Sequence, residues 1–310
     1  MKTFDILAFG EPLMEFAEVE RQGAHGAERL YLPGFGGDTS NAAIAAARQG
    51  ASVAYFTALG DDAFGRGFLG LWDREGVDRS SVIVREGERT GLYFISYGPD
   101  GHLFSYYRAG SAASQVTPAE LPLEKVATAR VFHLSAISQA ISSACADAGF
   151  AAMRHAKANG ASVSYDTNLR LRLWPLDRAR AVIHAALALC DIARPSLDDA
   201  RQLTGLDGPD EIAGFYLGLG CRVVALTMGA DGTYVATPER RALVPAPRVA
   251  VVDATGAGDA FTGAFLAEWL RHGDPFAAAA YANATAALKT LGRGAVAPIP
   301  RREAVEAFLR

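Results

Sequence analysis

Apolar and polar residues alternate along this chain in two rhythms. From about residue 121 the pattern is regular. Short apolar runs at 131–134, 162–166, 191–195 and 222–228 are separated by stretches whose apolar residues return at helical spacing, 142–159, 176–189, 197–205 and 210–219. The runs predict strands and the stretches predict helices. Strands alternating with helices predict a parallel sheet covered on both faces. A hairpin is predicted at 233–236 and 241–245, then helices from about 257 to 270 and from 275 to 291. Residues 4–9 and 52–59 read as two further buried strands.

The early part of the chain keeps a different rhythm. Residues 13–20 alternate apolar with acidic, the period of a strand with one wet face. The run 30–32 is another short strand, and 81–84, 90–97 and 102–108 are strand-like, the last two joined by the turn sequence Gly98-Pro99-Asp100-Gly101. These segments predict a small antiparallel sheet, inserted within about 13–33 and 90–110, that forms a lid on a single domain spanning 1–310.

Composition narrows the function classes. The chain has 310 residues, half of them hydrophobic, the balance of an ordinary globular protein. A net charge of −4 and a pI of about 5.9 argue against a basic nucleic-acid surface. No run of about eighteen apolar residues predicts a membrane span. The N-terminus reads as a first strand closed by Gly10-Glu11-Pro12 rather than as a signal peptide. Cys145, Cys190 and Cys221 are far apart in apolar contexts, which predicts buried, reduced thiols in a cytoplasmic protein. The G-x-G-x-x-G at 65–70 lies inside a helical pattern rather than after a strand, so it is not read as a dinucleotide fingerprint, and no P-loop motif occurs.

The candidate chemistry gathers at strand ends, where ligands sit in open α/β sheets. Those ends are Gly10-Glu11, 166–170, 194–199, 227–232 and 256–259. The turn Gly256-Ala257-Gly258 opens a long helix, and its backbone N–H groups and helix dipole suit an anion. Asp259 at its mouth is unfavourable for phosphate binding alone. It makes sense as the acceptor of a proton from a hydroxyl that attacks a phosphoryl group. Gly36 and Gly37 precede another helix start, where Asp38 reads either as an N-cap or as a ligand contact. Asn41, a poor helix former inside a run of alanines, reads as a ligand contact. Arg170 offers a planar fork for a carboxylate or phosphate. Asp199 reads as a Mg²⁺ ligand acting through water, or as a first-turn helix carboxylate. On the small sheet, Tyr93, Tyr106, Tyr107 and Arg108 are candidates for the ligand side, with core packing the alternative for the tyrosines.

Two separated segments carry a resemblance. Gly36-Gly37-Asp38-Thr39-Ser40-Asn41 and Asp253-Ala254-Thr255-Gly256-Ala257-Gly258-Asp259 resemble the two signatures of the ribokinase-like (PfkB) carbohydrate kinases, in the family's order. The resemblance implies a ribokinase-like three-layer α/β/α fold with a mostly parallel central sheet and a small antiparallel β lid. It implies ATP and Mg²⁺, a catalytic base at Asp259 and an anion hole at Gly256, Ala257 and Gly258. Sugar contacts are implied at Gly36, Gly37, Asp38 and Asn41. Nucleotide contacts are implied at Asn168, Ser196, Thr227, Gly229, Gly232, Gly256, Gly258 and Asn283, with Asp199 holding Mg²⁺ through water. Ser196 and Asp199 stand where many members carry Asn and Glu.

Within the family the sequence is most similar to the 2-keto-3-deoxygluconate kinases. Gly10-Glu11-Pro12-Leu13, Thr90-Gly91-Leu92-Tyr93, Tyr106 to Ala112 and Asp166 to Arg170 followed by Leu173-Trp174 carry that similarity. It implies that Tyr93, Tyr106, Arg108 and Arg170 contact a sugar acid, and two arginines suit a substrate with a carboxylate. The expected reaction is ATP-dependent phosphorylation of 2-keto-3-deoxygluconate to its 6-phosphate, with a fructokinase or ribokinase acting on a neutral sugar as the alternative. Gly292-Arg293-Gly294-Ala295 stands where some members use an acidic residue to hold a sugar hydroxyl. The lid's apolar outer face suits a second copy of the chain.

Overall fold

The computed structural model describes residues 2–19, 29–98 and 101–310. The polar stretch 20–28 and the Pro99-Asp100 tip of the expected hairpin turn lie outside the described residues. Among those described, the central sheet has nine strands. From edge to edge they are Arg241–Val244, Thr233–Ala236, Val223–Thr227, Ile192–Arg194, Ser162–Asp166, Ala129–Ser135, Phe4–Phe9, Val53–Phe56 and Val77–Asp78. The first two pairings in this order are antiparallel and the remaining six are parallel.

The strands lack a wet face because both faces are covered. In Phe4–Phe9, Leu7 and Phe9 join one buried cluster while Ile6 and Ala8 join the other. Successive side chains point to opposite sides of a pleated strand, so this is a three-layer sandwich read at the level of one strand. The helices Ser143–Ala158, Leu176–Leu187, Leu197–Thr204 and Pro209–Gly218 cover the first face. Asp38–Arg48, Ala63–Glu75, Ala257–His272 and Pro275–Lys289 cover the second. The G-x-G-x-x-G at 65–70 lies within Ala63–Glu75, inside a helix as its pattern predicted. All three cysteines are buried thiols. No helix among the described residues is long and apolar enough to cross a membrane.

The second sheet has the order Leu30–Gly36, Leu13–Val19, Leu92–Gly98 and Gly101–Tyr107. Its outer pairings are antiparallel, as expected, and its central pairing is parallel. Leu13–Val19 and Leu92–Gly98 both start beside Glu11 and run away from it, which fixes their common direction.

Several expectations are corrected. The wet face predicted for 13–20 does not hold at Glu15, which is 3% exposed and faces inward. The run 52–59 is broken at Thr57 into Val53–Phe56 in the central sheet and Ala58–Gly60, which pairs with Ile83–Arg85. The short helices Leu123–Thr128, Ala136–Ala140 and Arg302–Phe308 fall in stretches too brief for periodicity to show.

Candidate active site

Two helices set the centre of the site. Asp38–Arg48 and Ala257–His272 press small residues together. A Cβ placed on Gly263 would stand 2.2 Å from the carbonyl oxygen of Ala42, so only glycine permits this approach. The approach lets Asn41 Nδ2 donate to Asp259 Oδ2 at 2.8 Å. Asn41 is 3% exposed, and its Oδ1 has no hydrogen-bond partner. The odd amide in an alanine run is therefore held against the carboxylate rather than turned to an open surface. Asp38 is not the cap of its helix. Gly37 takes that place at φ 101°, where a Cβ would also meet the Glu11 carbonyl oxygen at 2.5 Å. Asp38 instead accepts from the Thr39 N–H and from Asn168 Nδ2, both at 2.8 Å.

The opposite turn is anchored by Asp253. Its two carboxylate oxygens accept from the Thr255 N–H at 2.9 Å and the Gly294 N–H at 2.8 Å, and its carbonyl accepts from Lys289 Nζ at 2.9 Å. The helix then begins at Gly256 with no side-chain cap. Ala257 spends its N–H on the Ala254 carbonyl at 3.1 Å, which closes the turn. Of the three residues of the expected hole only Ala257 spends its N–H in this way; those of Gly256 and Gly258, and of Asp259 beside them, have no partner among the described residues and are left for an anion.

Asp259 is half-buried, with part of the residue open to solvent. Burial and the neighbouring Asp38 push its carboxyl up to about 6, against the opposing hydrogen bond from Asn41 and the charges of Arg194 and Arg170. Burial also raises the carboxyl of Glu15, although the Tyr93 hydroxyl donates to it. Glu15 Oε1 comes within 3.9 Å of where a Cβ on Gly294 would stand. A carboxylate from the small sheet thus reaches the segment Gly292-Arg293-Gly294-Ala295. Sequence reasoning missed Glu15 because its alternation matched a solvent face.

The structure brings together Tyr93, Tyr106 and Arg108. The two rings lie 5.5 Å apart, and the Arg108 guanidinium sits 5.8 Å from the Tyr106 centroid. Tyr93 packs against Gly36. Tyr107 is 63% exposed. Arg108 is not a lone cation: it forms an ion pair with Glu11, Nε to Oε2 at 2.8 Å, while Ser111 Oγ donates to Glu11 Oε1 at 2.7 Å. Arg170 is exposed, bonds its own neighbour's carbonyl at Leu169, and lies within electrostatic reach of Asp259.

The residues expected around the nucleotide separate into two groups. Thr227, Gly229 and Gly232 lie at the end of Val223–Thr227, with Ser196 bridged to Thr227. Ser196 Oγ also caps Leu197–Thr204 by accepting from the Asp199 N–H at 3.2 Å. Asn283 and Asn168 are both hydrogen-bonded within the chain. Asn283 is 5% exposed and fully committed, accepting from Thr233 Oγ1 and donating to the Val244 carbonyl, because it ties its helix to the sheet edge. Asn168 donates its side-chain amide to Asp38.

No group of three or more His, Cys, Asp or Glu able to hold a metal occurs among the described residues. Asp199 Oδ2 accepts from the Leu169 N–H at 3.1 Å. One half-buried carboxylate with an oxygen to spare fits Mg²⁺ held through water and substrate phosphates, not an all-protein cage.

Residues 3–302 match the family described as pfkB family carbohydrate kinase. The chain is 35% identical over 307 residues to Fructokinase-1 of Oryza sativa subsp. japonica, covering 95% of this chain and 94% of that protein. Its structure is similar to that of a protein assigned as a ribokinase II from E. coli, solved in complex with ATP and Mg²⁺. The two agree at a TM-score of 0.91 and 26% identity over 99% of both chains. It is similar too to fructokinase from Xylella fastidiosa with bound ATP, at a TM-score of 0.89 and 26% identity over 98% of this chain and 97% of that one. The three-layer body with its small second sheet is the ribokinase-like fold that the two signatures implied.

Proposed function

This chain belongs to the pfkB family of carbohydrate kinases, and from that premise we propose that it transfers the γ-phosphoryl group of ATP to a primary hydroxyl of a sugar. The observation that carries the assignment of roles is Asp259, pushed up to about 6 and held by Asn41 at the mouth of an uncapped helix. Asp259 accepts the proton of the sugar hydroxyl as its oxygen bonds to phosphorus and the bond to the ADP leaving group breaks. The Gly258 and Asp259 amides hold the charge on the transferred group. Mg²⁺, when bound, offsets charge on the ATP phosphates, and Asp199 would hold it through water. The small sheet covers the sugar and excludes water as a competing acceptor. Its exposed Leu32, Leu103 and Tyr107 suit contact with a second copy.

For the acceptor we propose a sugar acid such as 2-keto-3-deoxygluconate. Arg170 supports this reading, an exposed cation beside the cleft that a neutral sugar has no use for. A neutral ketose such as fructose is the second reading, and the relatives favour it: the rice and Xylella proteins above are fructokinases. The Glu11 partner of Arg108 favours it as well, since that pair brings no net charge to the cleft. A coupled assay of ADP release with 2-keto-3-deoxygluconate, fructose and ribose decides between them. The sugar-acid reading expects the highest kcat/KM for the acid and a loss of about tenfold or more on that substrate in Arg170→Ala. Preferential turnover of fructose, unaffected by Arg170→Ala, replaces it with the neutral ketose.

A further inference from the structure

Beneath the anion turn lies a buried cation that the reaction as described leaves without a part. Arg194 ends the strand Ile192–Arg194 and is 6% exposed. Its guanidinium is ion-paired with Asp166, itself 3% exposed. Its two terminal nitrogens lie 3.2 and 3.4 Å from the point where a Cβ on Gly258 would stand. Its Nε is buried with no hydrogen-bond partner.

Taking a guanidinium out of water costs several kcal/mol, and an incompletely bonded one recovers less of that cost. Packing does not explain its presence, because an apolar side chain would fill the same volume without the penalty. The surrounding charge does. Asp38, Asp199 and Asp259 act on Arg194 in addition to Asp166. These four carboxylates converge from the helix Asp38–Arg48, the strand Ser162–Asp166 and the starts of the helices Leu197–Thr204 and Ala257–His272. A polyphosphate approaching the Gly258 and Asp259 amides meets their repulsion, and a helix terminus offers only about half a positive charge against it.

We propose that Arg194 is a positioning residue for phosphoryl transfer: its buried guanidinium, set against Gly258, supplies the positive charge that lets the turn accept a polyphosphate beside these aspartates. The inference rests on the kinase reading, with the nucleotide bound at that turn. Set against the turn, with its terminal nitrogens beside Gly258, Arg194 governs nucleotide affinity more than acceptor affinity.

The test measures binding of AMP-PNP with Mg²⁺ by calorimetry, and KM for ATP and for the sugar by the coupled assay, in the parent, Arg194→Gln, Arg194→Lys and the double variant Asp166→Asn/Arg194→Gln. The double variant leaves no bare carboxylate, so it remains informative if Arg194→Gln fails to fold. Arg194→Gln or the double variant should bind AMP-PNP about tenfold more weakly and raise KM for ATP with little change for the sugar, and Arg194→Lys should recover part of the loss. Parent-like AMP-PNP affinity in folded Arg194→Gln or in the double variant overturns the inference. So does an equal rise in both KM values. A parent that binds AMP-PNP yet phosphorylates no sugar strikes the acceptor reading instead, and the binding comparison still decides the role of Arg194.

Discussion

Replacing Asp259 with Asn tests the electrostatics and the chemistry of the site together. Burial and Asp38 lift its carboxyl from 3.8 to about 6. A carboxyl whose folded value lies above its unfolded one binds its proton more tightly in the folded state. Its contribution to stability is therefore best at low pH, declines as pH rises from 3.8 to 6, and is fully unfavourable above that window. At about 1.4 kcal/mol per unit the shift corresponds to roughly 3 kcal/mol, an upper figure because part of the residue is open to solvent. Asn has the same shape, carries no charge and keeps an oxygen for Asn41 Nδ2. The variant should be more stable than the parent by up to roughly 3 kcal/mol at pH 8, with the difference vanishing near pH 4. Turnover should be lost at every pH, because Asn has no site for the hydroxyl proton. Urea unfolding at pH 8, 6 and 4, run beside the coupled assay, reads both effects. A variant less stable than the parent at pH 8 refutes the electrostatic account, and near-normal turnover refutes the role of Asp259.

Three further substitutions probe the same construction. Asn41→Ala deletes the 2.8 Å charge-assisted bond to Asp259, a loss of about 1.5–3 kcal/mol that moves the acid limb of the kcat profile up by about 1–2 units from near 6; a limb that stays in place contradicts this. Glu15→Gln keeps an acceptor for the Tyr93 hydroxyl but removes the charge, so KM for the sugar should rise about tenfold while KM for ATP holds. Equal sugar KM in variant and parent would show that Glu15 does not face the acceptor. Gly263→Ala places a methyl 2.2 Å from the Ala42 carbonyl and should lower stability by about 1–3 kcal/mol, with a matching fall in activity as Asn41 is pushed off Asp259; an unchanged Tm would mean the helices are free to part.

What the sequence made legible was periodic or punctuated. The helices from 142 onward follow from apolar spacing, and the uncapped turn before Asp259 follows from Gly256 and Gly258. Residues whose role comes from a distant partner stayed hidden. Glu15 looks like a solvent-facing acid until Tyr93 and Gly294 are seen to enclose it. Arg108 looks like a free cation until Glu11 meets it from the end of the first strand, nearly a hundred residues earlier. Asn283 gives no local sign of the Thr233 and Val244 contacts that occupy both ends of its amide. In each case the deciding information is a contact between segments, which no local pattern encodes.

The aspartates carry the argument one step further. Each of the four is held by a donor from another segment: Asp38 by Asn168, Asp166 by Arg194, Asp199 by the Leu169 N–H and Asp259 by Asn41. Asn168 also donates its own N–H to Asp166 at 3.0 Å. One continuous path therefore runs from Asp38 in the acceptor signature, through Asn168 and Asp166, to Arg194 beneath the anion turn. A carboxylate cluster this dense is costly to assemble, and it persists only because each member is held by a fixed partner. The position of Asp259 is thus not a property of its own glycine turn. Asn41, on the same helix as Asp38, ties Asp259 to this path, so under the proposed roles the base is held by the segment assigned to the sugar as well as by the turn assigned to the phosphates, the two groups that must lie in line for transfer.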